Sequence, residues 1–255
     1  MKTSVCIDSV YEGIPKPEAM ARVRQCGIDA VEFWSWWDQD LEEIIDSARQ
    51  HRLAIASVCT KFISLVDSKQ RDDYLRGLEE SIAAATRLNC PTLISQVGDL
   101  LPDLERAEQR ASLIEGLRKA ASLLSGTGIT LVFEPLNDTV DHEGYYLVRS
   151  DEAFEIADAV ANDQIKVVFD LYHQQISEGD VIRNATRNIG SVGHFHAAGN
   201  PGRNELTRGE MNYAEIFRAI AQSGYEHYIG LEYWPVDAPE SGLRLADEMI
   251  QNART

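Results

Sequence analysis

The chain has 255 residues, of which 44% are hydrophobic and 25% charged, a composition typical of a folded globular protein. The formal net charge of −17 disfavours nucleic acid as a partner, because a phosphate backbone repels an acidic surface. No run of about 18 apolar residues occurs, so the sequence predicts no membrane-spanning helix.

The cysteines and the N-terminus bear on the cellular compartment. The four cysteines, Cys6, Cys26, Cys59 and Cys90, form no C-x-x-C pair, so neither a zinc cage nor a redox motif is predicted. We expect free, mostly buried thiols, as is usual in a reducing cytosol. The N-terminal MKTSVCIDSV lacks the long apolar run of a signal peptide, because Asp8 interrupts it. These features predict a cytoplasmic protein.

Short apolar runs alternate with amphipathic segments along the whole chain. Eight runs rich in valine, isoleucine, leucine or aromatic residues are typical of parallel strands buried on both faces. They are SVCID at 4–8, IDAVEFW at 28–34, LAIASVC at 53–59, TLISQV at 92–97, TLVFEP at 130–135, IKVVFD at 165–170, VGHFHA at 192–197 and YIGLEYW at 228–234.

Segments with helical periodicity fill the intervals between these runs. Eight such strand–helix units in alternation predict an α/β fold, a closed (β/α)8 TIM barrel that forms a single domain over residues 1–255. An open doubly wound sheet is the alternative, but no G-x-G-x-x-G motif follows the first strand. The predicted helices are 19–26, 41–51, 74–88, 113–124, 153–161, 182–189, 216–223 and 243–250.

Four consecutive strands in the second half of the chain carry side chains that can bind a metal. The fifth run ends at Glu134, the sixth at Asp170 and the eighth at Glu232, while the seventh passes through His194 and His196. In a closed barrel these ends converge on the C-terminal rim, where the active sites of barrel enzymes lie. Each residue alone also has an ordinary explanation: Asp170 can cap a helix, and His194 can be a core or supporting histidine.

Two glutamates, an aspartate and a histidine form an oxygen-rich ligand set with one imidazole. Such a set suits Mn²⁺ or Mg²⁺ and can also hold Co²⁺ or Zn²⁺. Carboxylates that converge without a cation would repel one another and raise the pKa of one of them. The sequence therefore predicts a divalent metal bound by Glu134, Asp170, His196 and Glu232.

Five segments carry a resemblance to a known family. Together they resemble the hydroxypyruvate isomerase family, which belongs to the xylose-isomerase-like TIM barrels beside the ketose 3-epimerases. The resemblance extends over nearly the whole chain. The segments are FEPLN at 133–137, FDLYHQQ at 169–175, VGHFHAAGNPGRNEL at 192–206, RGEMNYAEIF at 208–217 and IGLEYWP at 229–235.

The resemblance implies catalytic roles for the same residues. Glu134 and Glu232 resemble the paired catalytic glutamates of the family, and Asp170 and His196 resemble its remaining metal ligands. On that basis the enzyme isomerises a small hydroxy-keto acid or sugar through an enediolate. One glutamate removes a proton next to a carbonyl, and the same acid or a second one returns it to the neighbouring carbon. The sequence leaves open which glutamate is the base.

Two further residues resemble substrate contacts of the family. They are His173 in a D-x-x-H pattern and Arg203 in N-P-G-R. A guanidinium suits a carboxylate, which it binds with two parallel hydrogen bonds, and this favours a keto acid over a neutral sugar. The alternative for Arg203 is a surface arginine that pairs with Glu205 or Glu210.

Three positions depart from the hydroxypyruvate isomerase pattern. His196 stands where that family tends to carry glutamine, Gly199 where it tends to carry aspartate, and Trp234 where a lysine is common. These departures favour another hydroxy-keto acid or a sugar. A ketose 3-epimerase, which carries histidine at the position of His196, is therefore an alternative, as is a keto-acid decarboxylase or dehydratase on the same site.

Alternatives from other functional classes find less support. A DNA-repair nuclease resembling endonuclease IV would need clustered histidines and a basic groove, whereas the six histidines here are scattered and the chain is acidic. A non-catalytic module that binds a sugar acid or a metal would be expected to lack a catalytic glutamate, and both Glu134 and Glu232 are present.

The surroundings of the predicted site give weaker signals. We expect Trp34 in the pocket wall and Trp36 or Trp37 in packing, since indoles serve both purposes. Aromatic residues at the barrel mouth also favour a homodimer or tetramer. The loop 137–146 contains Gly144, which could act either as the hinge of a lid or as an ordinary turn.

Overall fold

The computed structural model describes residues 1–254, and it confirms the predicted barrel. Eight parallel strands pair in sequence order, and β8 closes the circle by pairing with β1. The strands are β1 Lys2–Cys6, β2 Ala30–Phe33, β3 Ala54–Cys59, β4 Thr92–Ser95, β5 Thr130–Phe133, β6 Ile165–Asp170, β7 Val192–Ala197 and β8 Tyr228–Leu231.

Helices follow every strand, and two short helices were not predicted from the sequence. The helix α1 directly follows β1, and α7 directly follows β6, so both lie at the C-terminal rim of the barrel. The α-helices in residues 1–254 are α1 Ile7–Val10, α2 Lys16–Gln25, α3 Leu41–His51, α4 Arg71–Leu88, α5 Arg106–Leu124, α6 Ser150–Val160, α7 Leu171–Ser177, α8 Val181–Arg187, α9 Tyr213–Gln222 and α10 Pro239–Asn252.

The strands alternate their side chains between the barrel interior and the helices. Successive strand residues point to opposite faces, so Phe133 and Phe169 face outward while their neighbours face inward. The outward rings join the large core between barrel and helices, where Phe169 stacks on Phe154 of α6 at a ring-centroid distance of 6.3 Å. The inward neighbours Val132 and Val168 form a smaller apolar cluster inside the barrel. The residue two positions after each valine therefore also faces inward, at the barrel mouth.

All eight predicted helices are present, but only α3 has the predicted bounds, and α5 begins at Arg106 and not at 113. The helix α3 begins after Asp40, whose carboxylate accepts hydrogen bonds from the backbone amides of Glu42 and Glu43 at 3.0 and 3.3 Å. All four cysteines are free and buried. Within residues 1–254, the helices are too short or too polar to cross a membrane.

Candidate active site

The structure brings the four predicted strand-end residues together at the C-terminal mouth of the barrel. Asp170 on β6 is the register partner of His196 on β7, while Glu134 and Glu232 directly follow β5 and β8. The His196 Nδ1 atom lies 3.4 Å from Glu134 Oε1 and 3.6 Å from Glu232 Oε2. All four side chains are buried, at 6% exposure or less.

The atoms that face one another in this group fit a divalent metal. The Glu134 Oε1 and His196 Nδ1 atoms are buried and accept or donate no hydrogen bond within residues 1–254. One ligand atom each from Glu134, Asp170 and His196 lies within 4.8 Å of the others, and Glu232 borders the same imidazole nitrogen. Buried polar atoms without partners are rare in folded proteins, and a cation would satisfy these. Carboxylate oxygens with one imidazole are the donors that hard divalent ions accept.

Asp170 both caps a helix and faces the site, the two roles that its position in the sequence predicts. Its Oδ1 atom caps α7 by accepting hydrogen bonds from the backbone amides of Tyr172 at 2.7 Å and His173 at 3.2 Å. Its Oδ2 atom faces the site, 3.9 Å from the Arg203 guanidinium. The cap thus fixes the carboxylate in a geometry that leaves one oxygen for a metal.

The two glutamates differ in their electrostatic surroundings. Burial raises the pKa of Glu134, and the neighbouring His196 offsets this only in part. Burial acts in the same direction on Glu232, but His196 and Arg203 outweigh it and lower its pKa to about 2. In the protein alone, Glu232 is therefore the fully ionised carboxylate and Glu134 the one that more readily holds a proton.

Arg203 lies in the site itself. Its Nη2 atom is 2.5 Å from Glu232 Oε2, and its guanidinium lies over the rings of Tyr172 and Trp234, with distances of 5.3 and 5.1 Å to the ring centroids. Arg203 also has a φ of 53°, which few residues other than glycine adopt. Strained backbone of this kind is retained where the surrounding structure needs the position of a side chain.

The alternative of a surface arginine paired with a nearby acid is wrong. The Glu205 carboxylate pairs with Arg208 at 3.3 Å, and Glu210 accepts a hydrogen bond from the Asn200 side chain at 2.8 Å. The Arg203 side chain is only 12% exposed. It is held in the mouth of the barrel by aromatic rings and by the Glu232 carboxylate, which the sequence spacing could not reveal.

His173 is buried in α7 and its proton position is fixed by a neighbour. Its Nδ1 atom lies 2.6 Å from the Asn137 side-chain nitrogen and 3.3 Å from the Asn137 backbone nitrogen, so two N–H groups point at it. Nδ1 must accept, and the ring proton is on Nε2, which lies 3.7 Å from Asp170 Oδ2. Burial, aided by Arg203, lowers the pKa of His173 well below its usual value. His173 therefore presents a neutral N–H donor to the site.

A cavity of about 270 Å³ opens next to these polar residues. Part of its lining is formed by apolar side chains from the first half of the barrel, namely Trp34, Cys59, Phe62 and Ile94. Trp34 also donates a hydrogen bond from Nε1 to Glu232 Oε1 at 2.8 Å.

The three tryptophans that follow β2 take different places, as expected. Trp34 lines the cavity, whereas Trp36 donates from Nε1 to the carbonyl of Cys59 at 3.1 Å. Trp37 packs edge-on against Phe62 with 5.3 Å between ring centroids. The indole in the pocket is thus the one that continues the inward face of its strand.

The loop 137–146 closes one side of the cavity through His142. Its base is ordered by the Tyr145 hydroxyl, which donates to the Glu134 carbonyl at 3.1 Å and accepts from the Val97 amide at 2.7 Å. Gly144 has a φ of 83°, a value typical of a glycine turn. Movement of this loop as a lid stays a prediction.

Sequence reasoning missed one residue that belongs to this region. Glu32 on β2 is 2% exposed and lies inside the barrel, with its carboxylate facing His194 and His196. An acid inside an apolar run, such as Glu32 in IDAVEFW, is costly to bury without partners, and this signal could have found it. Glu32 does not end its run, so the pattern of strand-end residues does not include it.

Comparison with known proteins places this site in a family. The profile of the family described as xylose isomerase-like TIM barrel matches residues 20–253. The hydroxypyruvate isomerase of Escherichia coli is 29% identical over 235 residues, which cover 89% of this chain and 90% of that protein. The 2-oxo-tetronate isomerase of Cupriavidus necator is 40% identical over 151 residues, which cover 59% of this chain and 58% of that protein.

A solved structure has nearly the same fold. The crystal structure described as an AP endonuclease of family 2 from Brucella melitensis superposes with a TM-score of 0.90 at 28% identity, covering 95% of this chain and 97% of that one.

The family match covers seven of the eight strands, from β2 to β8, and all four converging residues. The curated relatives compared above are isomerases, and this chain is an enzyme of the isomerase or epimerase type. By its sequence and its closed eight-stranded barrel, the chain belongs to the xylose isomerase-like TIM-barrel family.

Proposed function

We propose that this protein is a divalent-metal-dependent isomerase of a small 2-oxo acid that carries a hydroxyl group next to its carbonyl. One observation carries the proposal: Glu134 and Glu232 lie 3.4 and 3.6 Å from the same nitrogen of His196, at the end of a cavity that also holds Arg203. Such a site combines two acid–base groups, a metal-binding set and a receptor for a carboxylate.

Glu134, Asp170, His196 and Glu232 are the residues that would hold the ion. When bound, a divalent ion polarises the carbonyl and hydroxyl oxygens of the substrate and stabilises the enediolate. The oxygen-rich donor set favours Mn²⁺ or Mg²⁺, and it also accepts Co²⁺ or Zn²⁺.

The protein's own acids move the proton. One of Glu134 and Glu232 removes a proton from the carbon next to the carbonyl, and the same residue or the other returns it to the adjacent carbon. A carboxylate positioned in this way contributes about 10²–10⁴-fold to the rate. The apolar part of the cavity lining keeps water away from the reacting carbon, which protects the intermediate from side reactions.

Two hydrogen-bond donors without partners support an acid as substrate. The Nε atom of Arg203 is buried and lacks a hydrogen-bond partner within residues 1–254, and so does the Nε2 atom of His173. A guanidinium binds a carboxylate through two parallel N–H groups, and a neutral imidazole N–H suits a carbonyl or hydroxyl oxygen. Arg203 also stays charged at any physiological pH.

The cavity size and the relatives point to a small substrate. A volume of about 270 Å³ lies just below the range of about 300–1,000 Å³ typical of sites for larger ligands. The relatives are named for hydroxypyruvate and for 2-oxo-tetronate, which are short 2-oxo acids. We infer the same substrate class for this enzyme.

A ketose 3-epimerase is the second candidate, because the epimerases that this sequence resembles also carry a histidine at the position of His196. A decarboxylase or dehydratase would use the same enediolate, and only its products would differ. A non-catalytic module and a nuclease fit less well, since both glutamates are present and the chain carries a charge of −17. A cytoplasmic location and a homo-oligomeric state stay predictions.

The decisive experiment measures bound metal and turnover together. The purified protein is assayed with hydroxypyruvate, longer 2-oxo acids and a panel of ketoses in D₂O, with added Mn²⁺ or Mg²⁺ and with a chelator. We expect about one ion per chain, isomerised product, and deuterium on a substrate carbon. No bound ion and no exchange on any substrate would overturn the proposal, and inverted ketose as the only product would favour the epimerase.

A further inference from the structure

Glu32 is a carboxylate inside the barrel that the proposed mechanism does not use. It lies on β2 below the mouth and is 2% exposed. The inward positions Val132 and Val168 on β5 and β6 carry apolar side chains, which cannot stabilise a charge. Burying an ionised carboxylate is costly unless donors surround it, so its partners indicate its purpose.

Three potential donors surround the Glu32 carboxylate. The Ser57 hydroxyl donates to Oε2 at 2.6 Å, and His194 Nε2 lies 2.9 Å from the same oxygen. The Nε2 atom of His196 lies 3.5 Å from Oε1, and both atoms are buried with no hydrogen-bond partner within residues 1–254, so each is free to pair with the other. Glu32 thus contacts the side of the His196 ring that faces away from Glu134 and Glu232, whose carboxylates border Nδ1.

A glycine on β8 makes this contact possible. A Cβ atom at Gly230 would lie 1.9 Å from Glu32 Oε1 and 2.7 Å from the Cδ2 atom of His196. Gly230 is also the register partner of His196, two residues before Glu232 on the same face of the strand. The space for the Glu32–His196 pair is therefore provided by a missing side chain on the neighbouring strand.

We propose that Glu32 is a positioning residue that keeps the proton of His196 on Nε2 and thereby turns the Nδ1 lone pair toward the metal. An imidazole has one donor and one acceptor nitrogen when neutral, and a carboxylate at one of them fixes which is which. Histidines that bind metals usually donate their other N–H to a carboxylate or carbonyl in this way. The inference rests on the proposed metal site.

The main test compares metal affinity between variants. Glu32→Gln keeps the shape of the side chain but removes its charge, and it should weaken Mn²⁺ binding about 10–100-fold, measured by equilibrium dialysis or by electron paramagnetic resonance. Glu205→Gln is the matched control, because Glu205 is also buried and instead accepts hydrogen bonds from the backbone amides of Val236 and Asp237. The control should bind Mn²⁺ like the wild type.

A spectroscopic test on the wild-type protein does not depend on the folding of a variant. In zinc-loaded wild-type protein with ¹⁵N-labelled histidine, the proposal requires His196 to carry its proton on Nε2 and to have a metal-bound Nδ1. In Glu32→Gln protein whose circular dichroism and thermal midpoint match the wild type, the Nε2 proton should exchange faster with water.

Several outcomes would separate the two proposals. Wild-type protein that binds neither Mn²⁺ nor Zn²⁺ would overturn the proposed function. Wild-type protein that binds one ion, with equal affinity in Glu32→Gln, would overturn the role of Glu32 alone. Two tightly bound ions per chain would mean that Glu32 and His194 hold a second metal, and a proton on Nδ1 of His196 in the zinc-loaded protein would likewise reject the positioning role.

Discussion

The two halves of the barrel supply opposite kinds of surface to one cavity. Strands β5 to β8 place Glu134, Asp170, His196 and Glu232 at the mouth. Glu134 and Glu232 lie close to Nδ1 of His196, and ligand atoms of Glu134, Asp170 and His196 lie within 4.8 Å of one another. Strands β2 to β4 and the loop after β3 line the same cavity with Trp34, Cys59, Ile94 and Phe62.

This difference bears on the strength of the electrostatic interactions in the cavity. Charges interact more strongly in apolar surroundings, and the buried Cys59 and Ile94 provide such surroundings in the cavity that the acids also line. Two polar residues of the first half depart from this pattern: Gln96 also lines the cavity, and Glu32 lies below the mouth and contacts the far side of the His196 ring. The first half therefore contributes both the apolar part of the cavity lining and one buried carboxylate, Glu32, next to His196.

The largest expected effect comes from the acids of the second half. Glu134→Gln and Glu232→Gln should each lower kcat for the 2-oxo acid by about 10²–10⁴-fold, because the proposed function assigns proton transfer to these two carboxylates. Steady-state kinetics with the best substrate of the panel measures the loss. Glu143→Gln, on the exposed loop, is the control and should keep wild-type turnover. Full activity in either site variant would show that the substituted glutamate of the second half is not needed for catalysis.

A smaller effect is expected at Arg203, and it should depend on the substrate. Arg203→Lys keeps the charge but loses the planar pair of N–H donors, so kcat/KM for a 2-oxo acid should fall about 10–100-fold, equivalent to about 1.5–3 kcal/mol. The value for a ketose without a carboxylate should change less. An equal loss for both substrates would show that Arg203 acts on Glu232, its partner at 2.5 Å, and not on a substrate carboxylate.

Trp34 belongs to the first half of the barrel and hydrogen-bonds to an acid of the second half. Trp34→Phe retains the apolar wall but loses the hydrogen bond to Glu232 at 2.8 Å, so kcat should fall about 5–10-fold, the value of one hydrogen bond of about 1 kcal/mol. Trp37→Phe, which alters packing against Trp36 and Phe62 and removes no hydrogen bond to a site acid, is the matched control. If both variants behave alike in steady-state assays, Trp34 contributes surface and no electrostatic effect.

The smallest signal comes from the thiols of the first half. Burial raises the pKa of Cys6 and Cys59 well above the usual value, with nearby glutamates adding to it, and burial raises that of Cys90 to about 12. At pH 8 these groups are therefore protonated thiols, which are poor nucleophiles. Ellman's reagent should detect almost none of the four thiols in native protein and all four in denaturant. Rapid reaction of Cys59, which lines the cavity, would show that this part of the apolar lining is accessible to solvent.

Much of the fold could be predicted because its signals are local. Apolar runs at parallel-strand length and helical periodicity between them gave the number and order of the strands, and the strand ends gave the mouth of the barrel. The short helix α7 was not predicted, since Leu171–Ser177 follows β6 without a turn residue and begins at the cap that Asp170 provides.

The sequence by itself determined which residue types stand at the strand ends, because the alternation of side chains along a strand and the common direction of all eight strands bring Glu134, Asp170, His196 and Glu232 to one rim. Only the tertiary structure decided the partners that define their chemistry. Glu32 reaches His196 across the closed barrel, and Arg203 turns back to Glu232 from a loop. Contacts of this kind depend on barrel closure and on loop conformation, which no local pattern encodes.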